Sequence, residues 1–327
     1  MVRRCFGSLL ALVVIAFTAQ AQEKVKFVPK FEANKPFYQR VSTAVTQTVK
    51  VQGGTDMSLK HNQTFMFKWL PEKQEGEKWI VKLIIEGVVL KVDIGGNPVS
   101  YDSTAEATNT TNNPGLTEFF KNLIGTEFKI TFTKDGVVEK VEGKEEFLRK
   151  LGSANQQMEK MLKDILGDEA LKEMSDPLAG LSPTPPVEKA VGESWEKKST
   201  LPLGPIGSYE RTLKFTFKGK DASQKELDRV EADVNLVYKA PAAGADGLLF
   251  RIKDGNLGVD PNAKTPTIYL YNAKEGRLAS AEISVKMKGE LTVSIGTTES
   301  KVELYQEQKT TIESQIDKSY VKAAVKK

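Results

Sequence analysis

Between Trp79 and Ile94 the apolar pattern changes parity, and this one line constrains the fold more than any other. Trp79, Val81, Leu83 and Ile85 are apolar at odd positions; Val88, Leu90, Val92 and Ile94 are apolar at even ones. In a strand, residues two apart share a face, so one buried face cannot switch parity unless a residue is inserted. Gly87 is therefore a predicted β-bulge, at a residue whose missing Cβ tolerates the kink. Bulges of this kind let a long strand bend a sheet into a curved or partly closed shape. Two shorter strands joined by a turn at Glu86-Gly87 are the competing reading.

The same period of two runs through two blocks of the chain. In the first unit (36–142), Val41, Val45, Val49 and Val51 mark a half-buried strand and Gln52–Asp56 a turn. Phe65, Phe67 and Trp69 then share one face of a strand ending at Pro71, followed by a charged loop, PEKQEGEK. After a Thr/Asn-rich loop, Asn113-Pro114 signals a helix over 114–124, with Leu116, Phe119, Phe120, Leu123 and Ile124 on one stripe and Gly125 as its stop. Phe128, Ile130 and Phe132 lead into the hairpin turn Lys134-Asp135-Gly136.

A helical connector (143–181) follows, with Phe147, Leu148, Leu151, Met158, Met161, Leu162, Ile165 and Leu166 on one face. A Pro-rich linker (182–190) leads to the second unit (191–314), opened by Val191-Gly192-Glu193-Ser194-Trp195. There Leu213, Phe215 and Phe217 alternate, then Val230 to Tyr238, then Ile268–Tyr271, the turn Lys274-Glu275-Gly276, and Leu278–Met287. Leu291–Ile295 and Val302–Leu304 complete a meander. The two Lys-acid-Gly hairpins form a short internal similarity. The fold class is α+β, mainly antiparallel β: two curved antiparallel sheets, half-barrel-like, with a helical connector.

Residues 1–21 carry Arg3 and Arg4, an apolar LLALVVIAF and the small-x-small Ala19-Gln20-Ala21, so they read as a signal peptide cleaved after Ala21. The expected product is exported, periplasmic or extracellular, with no membrane-spanning segment left. Its only cysteine, Cys5, leaves with the peptide, which excludes disulfides, thiol nucleophiles and cysteine metal sites. Without Arg3 and Arg4, the 47 basic residues become 45 against 43 acidic, interspersed. That balance offers no phosphate-tracking patch, and nucleic acid is not an expected partner. A basic tail, 315–327, closes the chain.

Chemistry-bearing residues are sparse. His61 is the lone histidine, on an alternating strand, and is expected to face solvent. Asp254, Asn256 and Asp260 are close-spaced oxygen donors in a Gly-containing stretch that suits Ca²⁺, though Asx turns explain the same residues. No Gly-x-Ser-x-Gly elbow or phosphate loop is present, and no cofactor is expected. The aromatic rows Phe65, Phe67, Trp69, Phe128, Phe132, Phe215 and Phe217 either line a cavity for a lipid-like ligand or fill a core. The leading expectation is a non-catalytic envelope protein that binds an apolar ligand, such as a lipid or hydrophobic small molecule, or an envelope protein partner. A scaffold without a cavity and a carboxylate-dependent hydrolase are the alternatives.

Three stretches, VVLKVDIGGNPVSYDS, LTEFFKNLIGTEFKITFTKDGVVEKVEGKEEFLRKL and PVEKAVGESW, resemble a family of exported bacterial proteins known only as a domain of unknown function. The shared elements are structural, so the resemblance implies no functional residue. In outline, a curved sheet with covering helices is similar to the half-barrel carriers that hold lipoprotein acyl chains. N-terminal sequencing of the protein recovered from a bacterial envelope is expected to begin at Gln22; a chain beginning near Met1 overturns the cleavage reading.

Overall fold

The computed structural model describes residues 23–105, 114–152, 163, 166–203, 206–241, 251–263, 265, 267–296 and 298–316. Residues 1–21, read from sequence as a signal peptide, Met158, Met161, Leu162 and Ile165 of the connector stripe, and nearly all of the basic tail lie outside them. So does Asn113, and nothing is described of the side chains of Leu116 and Leu151.

Fifteen strands are described: β1 (Lys24–Val25), β2 (Phe37–Val51), β3 (Met57–Glu75), β4 (Lys78–Ile94), β5 (Asn97–Asp102), β6 (Glu127–Phe132), β7 (Val138–Glu142), β8 (Lys189–Ala190), β9 (Ser194–Pro202), β10 (Ser208–Lys220), β11 (Asp228–Lys239), β12 (Arg251–Val259), β13 (Thr267–Asn272), β14 (Arg277–Ile295) and β15 (Thr298–Gln315). Three helices accompany them: α1 (Pro114–Leu123), α2 (Lys144–Gly152) and α3 (Asp168–Met174). The antiparallel, mainly β reading stands, but the two units are one sheet. Thirteen strands run in the order β7-β6-β4-β3-β2-β15-β14-β12-β11-β10-β9, with β5 beside β4 and β13 between β11 and β14; β1 and β8 form a separate pair. The seam is β2 against β15, paired from Tyr38–Gln315 to Val51–Val302.

The bulge is where the parity change places it. Met66 faces Gly87 and Phe67 faces Ile85, so Glu86 is the inserted residue in one unbroken β4. It also divides the strand's outer edge: Trp79–Ile84 pair with β6, whereas Val89–Ile94 pair with β5. Added to Gly87, a Cβ would lie 3.1 Å from Met66 Sδ, so a larger residue there would have to push the methionine side chain aside.

Two element boundaries differ from the pattern. β3 does not end at Pro71 but runs on to Glu75, because a register shift between Pro71 and Lys73 spares the missing N–H a ladder bond. Leu291–Ile295 is no separate strand: it continues from Leu278–Met287 through Gly289, and β14 stays paired with β15 throughout.

One face of the sheet is charged, with cross-strand pairs such as Lys286–Glu307 and Lys309–Glu282. The other is apolar and carries the helices. Phe120 and Leu123 of α1, Phe147 and Leu148 of α2, and Leu171 of α3 pack on Val81, Leu83, Phe128 and Ile130. A second core joins Trp195, Phe215, Phe217, Val230 and Tyr269 to Leu178 and Leu181 of the turn after α3.

The sheet is rolled about this apolar face. Its terminal strands β7 and β9 are ten steps apart, about 47 Å if flat. Yet α3, seven residues and about 10 Å long, contacts both of them. A strap formed by residues 26–36 makes the same point from the side. Phe27 packs on Trp195, Phe217 and Tyr271, while Phe31, one turn of chain away, packs on Trp79 and Phe132. The Tyr271 hydroxyl donates to Val28 O at 2.7 Å, and burial pushes its pKa up to about 12.

The two similar hairpin turns hold that strap between them. Lys26 Nζ reaches Asp135 at 2.7 Å, and Lys30 N donates to Gly276 O at 3.1 Å. Gly136 (φ +76°) and Gly276 (φ +62°) occupy left-handed backbone, and the strap crosses them closely. A Cβ at Gly136 would sit 2.3 Å from Pro29 Cδ, and one at Gly276 2.6 Å from Lys30 N. β6 and β13 are six strand steps apart, about 28 Å if flat, yet their turns meet adjacent residues of the strap. Gly136→Ala or Gly276→Ala is expected to lower stability in urea denaturation by about 1–3 kcal/mol and to speed proteolysis within 26–36. Wild-type values in both measurements would show that the strap does not depend on these crossings.

Candidate functional site

The apolar aromatics fall into three settings. Trp69, Phe128 and Phe132 lie in the core under the helices, and Phe215 and Phe217 in the second core; Phe132, Phe215 and Phe217 have no exposed surface. Phe65 and Phe67 are half-buried, with rings stacked at a centroid distance of 5.9 Å and 12° between planes. The seven residues therefore do not converge on one cavity. Five fill cores, and two stand at the margin of the first core.

Beyond that margin, the middle of the inner faces of β2, β3 and β15 is only half-buried, between buried Ile312 at one end and Val302 at the other. Across them run aligned rows: Gln308–Val45–His61–Val92, then Thr310–Thr43–Gln63–Leu90, then Ile312–Val41–Phe65–Val88. The apolar members form a continuous surface, and the polar ones pair among themselves along the strand. Gln306 Nε2 donates to Gln308 Oε1 and Gln308 Nε2 to Thr310 Oγ1, both at 3.4 Å; Thr310 and Thr43 hydroxyls meet at 3.1 Å. These are long contacts, so the lane is weakly tied and free to offer donors and acceptors.

Where β2 passes between the two cores, Gln39 knots them together. Its amide Nε2 donates to Pro177 O at 2.8 Å and to Ser314 Oγ at 3.2 Å, and its Oε1 accepts from Trp69 Nε1 at 2.9 Å. A buried amide with all these partners fixes the register of the seam.

His61 does not face solvent as its isolation on an alternating strand suggests. It lies on the inner face beside Val45 and Val92, with Nε2 buried and unpaired. Burial lowers its pKa below the ordinary 6.5, and a hydrogen bond with Gln63 offsets part of this. The sequence signal was available in parity: His61 shares odd numbering with Phe65, Phe67 and Trp69.

Asp254, Asn256 and Asp260 are not brought together by the fold. Asp254 and Asn256 belong to strand β12 rather than to a loop, and extended backbone sets Asp254 about 20 Å from Asp260. Asp254 accepts from Gly255 N, and Asp260 accepts from Asn262 N and pairs with Lys288 at 2.9 Å. Among the described residues no three His, Cys, Asp or Glu side chains gather as a metal would require. No described helix is long and apolar enough to cross a membrane.

Residues 76–235 match the model of a family of unknown function (DUF6263). The matched segment contains all three stretches that carry the resemblance. No curated protein matches the sequence. Among solved structures, a chain from work on lipid–protein interactions in lipovitellin is similar with TM-score 0.45 and 9% identity, over 88% of this chain. This protein spans 26% of that chain's length. DynF, from the dynemicin biosynthesis pathway of Micromonospora chersina, gives TM-score 0.19 and 7% identity over 96% of each chain. OccK5 (OpdH) of Pseudomonas aeruginosa gives TM-score 0.19 and 8% identity, over 86% of this chain and 98% of that one.

In the unfolded chain the imidazole of His61 takes its proton near pH 6.5, and in the folded protein only at lower pH. Its stabilisation is therefore whole above the unfolded pKa and is lost as pH falls through the folded one. NMR titration of the sole histidine should show a midpoint below 6.5, and His61→Gln should flatten the acid limb of the stability profile. A midpoint at or above 6.5 contradicts the buried setting.

Proposed function

We propose that this protein, whose residues 76–235 match that family of unknown function, is an exported, non-catalytic binding protein of the bacterial envelope. It holds an apolar or amphipathic ligand, a lipid or hydrophobic small molecule, against the inner face of its rolled sheet. The observation that carries the reading is the half-buried surface around Phe65, Phe67, Val45 and Val92 on the inner face of the rolled sheet. Apolar walls with a few polar groups are the usual make-up of a ligand site. The glutamine–threonine lane and the unpaired His61 nitrogen supply such groups here.

On this reading residues 1–21 direct export and are then removed, leaving the mature chain outside the cytoplasm. The contrasting reading, a scaffold with no ligand, rests on the five aromatics that are core; it leaves the open part of the face without a role.

The test is titration of the full mature chain with N-phenyl-1-naphthylamine, an uncharged dye that fluoresces in apolar surroundings, alongside native mass spectrometry. Saturable binding near one equivalent is expected. Phe67→Asp, in a variant with wild-type circular dichroism, should weaken it at least about tenfold. A flat titration, together with a bare monomer mass, would favour the scaffold.

A further inference from the structure

At the strap, away from the open inner face, the structure has a hollow of about 880 Å³ between residues 28–36, the two hairpin turns and the start of β14. Its lining brings together five cations, Lys30, Lys35, Lys134, Lys274 and Arg277, against two carboxylates, Glu32 and Glu275. Phe31, Trp79 and Ile316 give it apolar wall.

Most of those cations are already engaged. Lys35 is tied to Glu32, Lys134 reaches Glu77 at 2.9 Å, and Lys30 Nζ donates to Ala273 O at 2.7 Å. Arg277 is different. Its side chain is 14% exposed, its Nη1 lies 3.8 Å from the more exposed Glu275, and its Nε is buried without a partner. The guanidinium rests 4.8 Å from the centre of the Phe37 ring, which fixes its plane. Lys274, exposed at the rim, has no acidic partner among the described residues.

A guanidinium carries five donors in a rigid fork that matches a carboxylate or phosphate, and here it is buried with one long ion pair, to Glu275, and only the longer-range attraction of Glu32 beside it, which is costly. We propose that this hollow binds an anion: a carboxylate or phosphate on an apolar body, gripped by Arg277, approached by Lys274, with its body against Phe31 and Trp79. The site is separate from the inner-face surface and stands or falls independently of it.

Isothermal titration of the full mature chain with laurate, dodecyl phosphate, dodecanol and inorganic phosphate tests the proposal. Laurate and dodecyl phosphate should bind saturably; Arg277→Gln should weaken both at least about tenfold, Arg277→Lys less, and Lys274→Gln about threefold. Added salt should weaken them too, and N-phenyl-1-naphthylamine binding should be unchanged in Arg277→Gln. Inorganic phosphate that competes as well as dodecyl phosphate supports the site with a free anion as its source; failure to compete supports a lipid-borne one. Should Arg277→Gln not fold, Lys274→Gln and the salt dependence decide. The proposal is overturned if no anion binds saturably, if neither Arg277→Gln nor Lys274→Gln weakens binding, or if dodecanol binds as tightly as laurate and loses as much in the same variants.

Discussion

The structure depends on closing a thirteen-stranded sheet upon its own apolar face. Strongly twisted open sheets of more than about ten strands curl or split. Here the curl is held by two devices, α3 between the terminal strands β7 and β9, and the strap between the β6–β7 and β13–β14 turns. Without them both cores lie open to water, since each takes part of its covering from α3 and the turn after it or from the strap. Phe27 and Phe31 show this most directly, each inserted into a different core from one short segment.

Closure explains where the inner face is filled and where it is not. Helices α1 and α2 cover β4 and β6, and the turn after α3 covers β9 and β10. The seam strands β2 and β15 lie farthest along the sheet from both edges, and their inner faces are buried at Phe37, Gln39, Val302 and Ile312 but stay half-buried between, from Val41 to Val49 and from Leu304 to Thr310. Glutamine and threonine there are consistent with a surface that is neither core nor solvent-facing, because each finds a neighbour two residues away or across the seam. The outer face carries ion pairs that contribute little individually to stability.

The strap end joins structural and chemical roles. Arg277 begins β14 just after the glycine that receives Lys30, so the residue proposed to grip an anion is placed by the same turn that holds the strap. Its fork is oriented by Phe37, itself stacked on Trp69 at 5.8 Å, so the first core sets the geometry of the hollow.

Local features were written in the sequence. The parity change around Gly87 gave the bulge, because side-chain period in a strand is fixed at two. Gly136 and Gly276 gave the hairpin turns, because positive φ favours glycine, and Gly125 ended α1 for the same reason. What only the tertiary structure decided was partnership. The pairing of β2 with β15 joins residues some 260 apart, and alternation says which face a strand buries but not which strand lies beside it. His61 shows the same limit: its parity with Phe65 was legible, yet burial required Val45 and Val92 from neighbouring strands. Asp254, Asn256 and Asp260, close in sequence, are held apart by an extended backbone. Lys30 and Gly276, remote in sequence, were brought into contact by closure of the sheet.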